Sequence, residues 1–276
     1  MTIGIVGLGL IGGSFAKAIK KYTERNVLGT DLSPDTERMA LEEGAIDGVL
    51  SDSLIGSCQL ILLSLYPQHT IDWLREKASY IRPGTLVMDS CGIKRPVCEA
   101  AAPLAAQYGF SFVGGHPMAG REVSGYRASL ADLFVGASLI ITEKQPPDAI
   151  AVLARKMGFA MIKCTTPQEH DRMIAFTSQL AHIVSGAYVK SPSALAHRGF
   201  SAGSFRDLTR VAYLNETMWT ELFLDNRDNL SQEVGHIIQE LQKYKEALDT
   251  ADASCLKALL QEGRERKEQT NADGTC

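Results

Sequence analysis

The chain has 276 residues, 45% of them hydrophobic and 22% charged, a balance typical of globular proteins that are large enough to bury sizeable cores. Its formal net charge of −4 excludes a generally basic surface, so we expect no binding to nucleic acid or to anionic membranes. No apolar run reaches the roughly 18 residues of a membrane-spanning helix, and the six cysteines form no C-x-x-C pair. We therefore expect a cytoplasmic protein with free thiols, no signal peptide and no bound metal.

The first 31 residues follow the order strand, glycine turn, helix, strand, acidic residue. The apolar run 2–6 leads into the G-x-G-x-x-G pattern of residues 7–12, and an amphipathic stretch with helical spacing follows. A second apolar run ends at Asp31, 19 residues beyond Gly12. This order is the fingerprint of a dinucleotide-binding βαβ unit, whereas a glycine pattern alone is also typical of a turn that serves packing only.

The residue types of the glycine turn have separate physical reasons. Gly7 permits the tight turn, Gly9 lets the backbone approach a pyrophosphate, and Gly12 lets the helix pack closely on the strand. The N–H groups at the helix start, at Leu10 and Ile11, favour phosphate groups. These residues are therefore predicted to bind the cofactor.

The acidic residue at the end of the second strand indicates which cofactor this is. Asp31 can accept hydrogen bonds from a ribose 2′-hydroxyl and repels a 2′-phosphate. Residues 32–34 offer no arginine that would attract such a phosphate. We predict NAD rather than NADP, with Ser64, which follows a later strand, also in the cofactor site.

Strand-like and helix-like segments alternate as far as about residue 165, which predicts βαβ units in a mostly parallel sheet. Only helical patterns remain beyond that point, and their apolar faces are compatible with an intrachain core or with a second subunit. The polar residues from Arg264 onward are expected to fray. We predict an α/β Rossmann-type dinucleotide-binding domain at 1–165 and an all-α substrate-binding and dimerisation domain at 166–276. The predicted strands after Asp31 are 59–65, 85–89, 110–114, 137–142 and 159–162, and the predicted helices are 34–43, 68–79, 94–107, 147–157, 167–190, 203–213, 215–247 and 252–267.

Polar segments follow three of the predicted strands, at the edge of the sheet where ligands bind in open α/β folds. These segments are 64–67, 89–94 and 114–120. In the third, His116 is flanked by glycines and followed by a proline, at a strand end. An imidazole that titrates near neutrality suits the removal of a proton from an alcohol during hydride transfer. We predict a catalytic role for His116, the alternative being a loop histidine satisfied by the backbone.

The helical half offers two further candidates. His182 lies within an apolar helix, a pattern that fits a substrate contact and a buried structural histidine equally well. Arg210 follows a glycine-containing turn, where a guanidinium can bind a carboxylate through two hydrogen bonds or pair with Asp207 on the same turn. His170 and Asp171, near a helix start, are predicted to serve as a cap and as an interdomain contact.

Five motifs, in this order, resemble those of one family. They are GLGLIGGS at 7–14, DSCGIK at 89–94, GHPMAG at 115–120, HDRM at 170–173 and GSFRDLTR at 203–210. Their order and spacing are similar to those of the prephenate dehydrogenase (TyrA) family over nearly the whole chain, up to about residue 250. Trp219 and Asn226 also fit the family pattern.

The resemblance implies an NAD-dependent oxidative decarboxylation of prephenate to 4-hydroxyphenylpyruvate in tyrosine biosynthesis. It implies that His116 accepts the proton of the ring hydroxyl, that Arg210 binds the ring carboxylate and that His182 contacts the substrate side chain. It further implies a Rossmann domain joined to a helical dimerisation domain, and a homodimer as the active form.

Two positions depart from the family pattern. Gly92 stands where many relatives have a serine that helps to orient the hydroxyl, so Ser90, Cys91 or a water molecule are open substitutes. Gln179 stands where relatives often have a histidine, which leaves only His182 of that pair. These departures bear on substrate preference and pH profile more than on the class of reaction.

Three other functions are compatible with the sequence. An arogenate dehydrogenase performs the same chemistry on a substrate whose ammonium group needs an acceptor, where a keto group needs a donor. A β-hydroxyacid or imine reductase has a similar two-domain plan, but its lysine on the long interdomain helix has no clear counterpart here. A non-catalytic NAD(H)-sensing protein would bind NAD and form no NADH. Since no regulatory domain is expected after the helical half, any inhibition by tyrosine is expected at the active site, in competition with prephenate.

Overall fold

The computed structural model describes residues 1–272, in which strands and helices alternate through the first half of the chain. The strands are β1 (Thr2–Val6), β2 (Asn26–Thr30), β3 (Gly48–Val49), β4 (Leu60–Leu63), β5 (Leu86–Asp89), β6 (Ser111–Val113), β7 (Gly115–Pro117), β8 (Ser138–Ile141) and β9 (Met161–Cys164). The helices are α1 (Leu10–Tyr22), α2 (Pro34–Glu42), α3 (Asp52–Ile55), α4 (Pro67–Lys77), α5 (Arg95–Tyr108), α6 (Asp148–Lys156), α7 (Pro167–Ile174), α8 (Ala181–Tyr188), α9 (Gly203–Thr209), α10 (Glu216–Asp225), α11 (Arg227–Asp249) and α12 (Ala253–Ala272).

The first six strands form a parallel sheet in the order β3-β2-β1-β4-β5-β6. This is the strand order of dinucleotide-binding folds, in which the direction of winding reverses between β1 and β4. These two strands pair from Ile3–Leu60 to Val6–Leu63, so they end side by side at the same edge. The predicted Rossmann-type fold with a mostly parallel sheet is confirmed.

The position of β4 inside the parallel sheet, between β1 and β5, explains why its sequence is a continuous apolar run. Its side chains point alternately to the two faces of the sheet. Leu60 and Leu62 belong to one buried cluster, whereas Ile61 and Leu63 belong to the other. All four are at most 1% exposed, because helices cover both faces of a parallel sheet.

A second, smaller sheet has the order β7-β8-β9. Strand β7 is antiparallel to β8, and β8 is parallel to β9. The sequence placed His116 in a loop at a strand end, but the structure places it in β7, paired with Ile140. Three residues that include a glycine and a proline carry no recognisable strand pattern, so this element could not be predicted.

One continuous helix runs from Pro167 to Tyr188 and consists of α7, a π-helical turn (Ala175–Leu180) and α8. The hydroxyl of Thr166 accepts a hydrogen bond from the N–H of Glu169, and proline occupies the first turn, so the start of the helix is capped. The π-helical turn interrupts the regular α-helix in its middle, a feature that is frequent at functional sites.

Helix α10 lies at the edge of the parallel sheet where the strands end. The carboxylate of Glu221 accepts a hydrogen bond of 2.8 Å from the backbone N–H of Gln68, in the first turn of α4. An acidic side chain at this position also interacts favourably with the helix dipole. Since α4 begins just after β4, the contact places α10 near the crevice at the sheet edge.

Residues Met1–Arg227 form one compact unit, and the described residues from Asp228 onward form another. Within the second unit, the hydroxyl of Tyr244 in α11 donates a hydrogen bond of 3.2 Å to the carbonyl of Leu259 in α12. Along the described residues 1–272, no helix is both long enough and apolar enough to cross a membrane.

Residues 264–272, which their polar composition led us to expect to fray, lie in a helix. Helix α12 continues to Ala272, and the polar side chains form ion pairs one turn apart, such as Arg264 with Glu268. Pairs at this spacing support a solvated helix, which a polar composition alone does not distinguish from a frayed end. The last four residues of the expected frayed tail, 273–276, lie outside the described residues.

The close packing of α1 on β1 gives a test of the fold. A Cβ added at Gly12 would lie 1.8 Å from the carbonyl oxygen of Gly7, so Gly12→Ala is expected to lower the free energy of unfolding by about 1–3 kcal/mol. A Cβ added at Gly186 in α8 would meet nothing within 4 Å, and Gly186→Ala is expected to leave stability unchanged or raised. Urea denaturation of both variants measures the difference, and equal midpoints would contradict the packing.

Candidate active site

The glycine turn lies at the crevice between β1 and β4. Gly7 has a φ of +84°, a conformation that favours glycine, and its N–H donates to the carbonyl of Thr30 at 2.8 Å. A Cβ at Gly7 would come within 2.5 Å of the carbonyl oxygen of Ser64. The turn therefore packs directly against Ser64, the residue that follows β4.

The space in front of helix α1 is open. The helix begins at Leu10, and no side chain caps the N–H groups of its first turn. A Cβ added at Gly9 would meet nothing within 4 Å. Uncapped N–H groups at a helix start, together with the helix dipole, form an anion-binding position. The residues that are present thus fit the pyrophosphate of a dinucleotide, with Ile11 in the same first turn.

Asp31 links the end of β2 to the glycine turn. One carboxylate oxygen accepts a hydrogen bond of 2.8 Å from the N–H of Leu8, and the other accepts one of 2.9 Å from the N–H of Ser33. A carboxylate oxygen has two lone pairs, so each still has capacity for a further donor. Asp31 therefore shapes the turn and can also accept a ribose hydroxyl.

A buried ion pair lies at the end of β5. Asp89 and Lys94 are both fully buried and contact each other directly. The N–H of Gly115 donates to Asp89 at 3.2 Å, and its carbonyl accepts from the ammonium of Lys94 at 2.6 Å. Burial opposes the charge on Lys94, but the neighbouring carboxylate outweighs it and raises the pKa of Lys94. The pair thus holds both backbone polar groups of the residue that precedes His116.

His116 is in direct contact with a second histidine. Its Nδ1 lies 2.9 Å from Nε2 of His170, whose Nδ1 lies 2.7 Å from a carboxylate oxygen of Asp171. His116 is partly exposed, whereas His170 and Asp171 are buried. Burial, with smaller contributions from the charges of His170 and Lys94, holds the pKa of His116 well below its ordinary 6.5. His116 is therefore a neutral imidazole at physiological pH.

The carboxylate of Asp171 also caps helix α5. It accepts hydrogen bonds from the backbone N–H groups of Lys94 at 2.8 Å and Arg95 at 2.9 Å, and from the guanidinium of Arg95 at 3.3 Å. Burial alone would raise the pKa of Asp171, but its bonds to His170 and to these N–H groups hold it below its ordinary value. The contact joins the long helix to α5, and the capped helix is α5 rather than the helix that carries Asp171.

His182 lies on α8 beside the segment that carries Arg210. Its Nδ1 lies 2.9 Å from the carbonyl oxygen of Val211, and its ring centroid lies 4.0 Å from that of Trp219. Burial lowers the pKa of His182, the bond to Val211 partly opposes this shift, and the charge of Arg210 adds to it. The structure thus brings His182 and Arg210 into one region.

Arg210 reaches the segment that follows His116 in the chain. Its guanidinium lies 3.0 Å from the carboxylate of Glu122, and both side chains are more than 60% exposed. Among the described residues this pair takes the place of the expected pair with Asp207. Because an exposed ion pair is weak, a carboxylate ligand can displace Glu122 at little cost.

Cys91 and Ser90 are the two side chains that could replace the serine that many relatives have at position 92, and the structure shows what each of them contacts. The thiol of Cys91 is buried, contacts Thr70 and donates to the carbonyl of Leu65, and its pKa is raised chiefly by burial. It therefore serves packing. The hydroxyl of Ser90 lies 3.2 Å from both the carbonyl oxygen of Leu63 and the hydroxyl oxygen of Ser64, either of which can accept its single hydrogen.

Position 92 itself has room for a side chain. A Cβ at Gly92 would meet only Leu222, at 3.6 Å, which is an ordinary van der Waals distance. Gln179 is buried and bonded at both ends, to the carbonyl of Leu222 and the amide of Asn226. Its role is therefore to tie α10 to the long helix.

Sequence reasoning missed His170, Asp171 and the Asp89–Lys94 pair as parts of the site around His116. All four residues stand within the motifs DSCGIK and HDRM, so the signal was the presence of charged residues at a strand end and of a His-Asp pair.

In the described residues 1–272, no group of three or more histidine, cysteine or acidic side chains is arranged to hold a metal ion.

Comparison with known proteins identifies the family. Residues 15–159 match the prephenate dehydrogenase nucleotide-binding domain, and residues 166–262 match the prephenate dehydrogenase dimerization domain. The prephenate dehydrogenase of Bacillus subtilis is 33% identical over 272 residues, which cover 92% of this chain and 72% of that protein.

Two solved structures are similar to this chain over almost its full length. The arogenate dehydrogenase of Synechocystis is 27% identical, with a TM-score of 0.81 and coverage of 98% of this chain and 100% of that one. The prephenate dehydrogenase of A. aeolicus, in complex with hydroxyphenyl propionate and NAD+, is 26% identical, with a TM-score of 0.82 and coverage of 98% of both chains. Because both domains match and a relative is 33% identical over 92% of this chain, the chain belongs to the prephenate dehydrogenase family.

Proposed function

We propose that this protein catalyses the NAD-dependent oxidative decarboxylation of prephenate to 4-hydroxyphenylpyruvate, a step of tyrosine biosynthesis. The observation that carries the proposal is the neutral imidazole of His116, held at the edge of the sheet where the nucleotide crevice opens. Membership of the prephenate dehydrogenase family supplies the reaction.

NAD is the cofactor. The nucleotide-binding domain matches residues 15–159, and the A. aeolicus relative was solved with NAD+. We propose that Gly7, Gly9 and Gly12, with the N–H groups of Leu10 and Ile11, hold the pyrophosphate, that Asp31 accepts the ribose hydroxyl, and that Ser64 lines the same crevice. When bound, NAD accepts a hydride from the ring carbon that carries the hydroxyl.

In this mechanism, His116 accepts the proton of the substrate ring hydroxyl as that carbon is oxidised. Carbon dioxide then leaves from the ring, its bonding electrons complete the aromatic ring, and the oxygen becomes a phenolate. The same imidazole returns the proton to that oxygen. The balance is prephenate and NAD+ to 4-hydroxyphenylpyruvate, carbon dioxide and NADH, with no net proton, so His116 is neutral before and after the reaction.

We assign the substrate carboxylates and side chain to the helical half. Arg210 binds the ring carboxylate through its guanidinium after that carboxylate has displaced Glu122. His182 contacts the substrate side chain, in keeping with its contact to the segment that carries Arg210. Residues 1–165 are thus proposed as the nucleotide domain and 166–276 as the substrate and dimerisation domain.

We propose that the protein is a homodimer. Residues 166–262 match a dimerization domain, and helix α11 exposes Ile238, Leu241 and Leu248 by 58%, 60% and 63%. Large apolar side chains at helical spacing on an exposed face are typical of an interface.

The five cysteines of residues 1–272 are free thiols, as in proteins of a reducing compartment. We therefore propose that the protein is located in the cytoplasm.

One observation favours arogenate as a second candidate substrate. Nδ1 of His182 donates to the carbonyl of Val211, so Nε2 of the neutral ring is an acceptor. An acceptor suits the ammonium of arogenate, whereas the keto group of prephenate needs a donor. The Synechocystis relative is an arogenate dehydrogenase.

Initial rates of NADH or NADPH formation, measured with prephenate or arogenate and with NAD or NADP, test the proposal. We expect the highest kcat/KM for prephenate with NAD, and a preference for arogenate would move the assignment to the second candidate. Absence of activity in all four pairings, with NAD still bound, would contradict both.

Tyrosine, which shares the hydroxyphenyl group and three-carbon acid of the ligand in the A. aeolicus structure, is expected to raise the apparent KM for prephenate without lowering kcat.

Replacement of His116 tests its role as the base. His116→Asn is expected to lower kcat by on the order of 10²–10⁴, because a positioned base is lost, with little change in the dissociation constant of NAD. In the unmodified enzyme, only the neutral ring accepts a proton, and its pKa lies well below 6.5. The value of kcat/KM is therefore expected to stay level as the pH falls through 6.5 and to decline only at lower pH. A decline centred at or above pH 6.5 would contradict the neutral-ring assignment.

Replacement of Asp31 tests cofactor recognition. Asp31→Ala removes the acceptor for the ribose hydroxyl and the bonds to Leu8 and Ser33, so we expect weaker binding of NAD and a smaller preference for NAD over NADP. Dissociation constants for both nucleotides, from quenching of protein fluorescence, measure the effect. Asp35→Ala, an exposed aspartate four residues further on, serves as the control, and equal behaviour of the two variants would place the recognising acid elsewhere.

A further inference from the structure

We propose that His170 is a positioning residue for His116: with Asp171, it holds the His116 ring in the tautomer that carries its hydrogen on Nδ1 and leaves Nε2 free to accept a proton. The inference deepens the proposed function and rests on it, because the proton in question is that of the substrate hydroxyl. It concerns a residue that touches neither the substrate nor the cofactor in the proposed mechanism.

The first step is that Asp171 acts only as an acceptor. Its carboxylate receives the N–H groups of Lys94 and Arg95 and the guanidinium of Arg95, besides the contact with His170. It is fully buried, and so many donors around a buried carboxylate keep it ionised. An ionised carboxylate has no hydrogen to donate, so Nδ1 of His170 must be the donor in the 2.7 Å contact.

The position of the hydrogen on His170 also determines the position of the hydrogen on His116. A neutral imidazole carries one hydrogen, and in His170 that hydrogen is on Nδ1, so Nε2 of His170 is an acceptor. The 2.9 Å contact between this Nε2 and Nδ1 of His116 therefore requires a hydrogen on Nδ1 of His116. The remaining ring nitrogen, Nε2 of His116, is left with a lone pair.

The backbone that carries the His116 ring is held in place next to this contact. His116 pairs with Ile140 in the small sheet, and Gly115 before it is held by Asp89 and Lys94. The strand that carries the ring is thus held by its own contacts, and the contact with His170 orients the ring on it. A base fixed in one tautomer needs no rearrangement before it accepts a proton.

The charged groups around the two rings agree with neutral rings in the free enzyme. Burial disfavours an imidazolium at His116, as do the charge that His170 carries when it is protonated and the ammonium of Lys94. Asp171, Asp89 and Lys94 face His170, with the two carboxylates opposing the effects of burial and of Lys94. After His116 has accepted a proton, the carboxylate of Asp171 stabilises the cation through the His170 ring.

Nuclear magnetic resonance of the enzyme labelled with 15N-histidine tests the tautomer directly. The chain has only six histidines, and nitrogen shifts distinguish a protonated from an unprotonated ring nitrogen. Signals are assigned by their loss in His116→Asn and His170→Gln. We expect hydrogen on Nδ1 and none on Nε2 for His116 in the unmodified free enzyme above pH 7. Hydrogen on Nε2 of His116 would overturn the proposal.

Kinetics of two variants distinguish positioning from a general structural role. His170→Leu removes the acceptor and is expected to lower kcat by about 10- to 1,000-fold, with little change in the KM for prephenate or in NAD binding. His170→Gln can present its amide oxygen to Nδ1 of His116 and is expected to recover much of the loss. The control is His236→Gln, at an exposed histidine of α11, which is expected to keep the unmodified kcat.

A double-mutant cycle completes the test. If His170 acts through His116, His170→Leu should add little to the loss already caused by His116→Asn, since coupled residues are not additive. A full additional loss, or equal losses for His170→Leu and His170→Gln with a lowered melting temperature, would overturn the proposal. The spectrum of the unmodified enzyme decides the matter even where His170→Leu does not fold.

The outcomes separate this inference from the proposed function. Absence of turnover with every substrate pairing, together with the expected tautomer, would refute the proposed function and support the positioning of His116 by His170. An active prephenate dehydrogenase with hydrogen on Nε2 of His116 would refute the positioning alone.

Discussion

The ion pair between Asp89 and Lys94 is the interaction on which the rest of the site depends. Both side chains are fully buried, and charges removed from water are costly unless each is paired and hydrogen-bonded. Here each also bonds to Gly115, at the point where the chain leaves the parallel sheet and enters β7. Loss of one partner would leave an uncompensated buried charge, at a cost of about 3–5 kcal/mol. The pair thus secures the strand that carries His116.

The two halves of the chain meet around the same groups. Asp171, on the long helix, satisfies the backbone N–H groups at the start of α5, beside Lys94, while its neighbour His170 contacts His116. Asn226 donates to the carbonyl of Asp171 and to Gln179, which extends the network to the end of α10. A buried polar network with its members satisfied is rigid, so the helical half orients a ring that belongs to the nucleotide domain.

Local patterns allowed much of this arrangement to be predicted from the sequence. The glycine turn, Asp31 and the alternation of strands and helices depend on residues close in the chain, and His116 was found because it follows a predicted strand. The partners of His116 and Arg210 are 54 and 88 residues away, and no local period indicates such contacts. The sequence of β7 is too short to predict a strand, and the burial of Lys94 is a consequence of tertiary packing. Because lysine is almost never fully buried unless it is paired, the residue type alone predicts an exposed side chain at position 94.

The π-helical turn at Ala175–Leu180 has a geometric consequence for the two histidines on either side of it. His170 and His182 are 12 positions apart, and at about 100° per residue an uninterrupted α-helix would point them about 120° apart. A π turn absorbs one extra residue, which reduces the effective separation to 11 and the angle to about 20°. One inserted residue therefore brings two directions that would diverge by about 120° to within about 20° of each other. The same helix can therefore carry His170, which contacts the base His116, and His182, which is proposed to contact the substrate side chain.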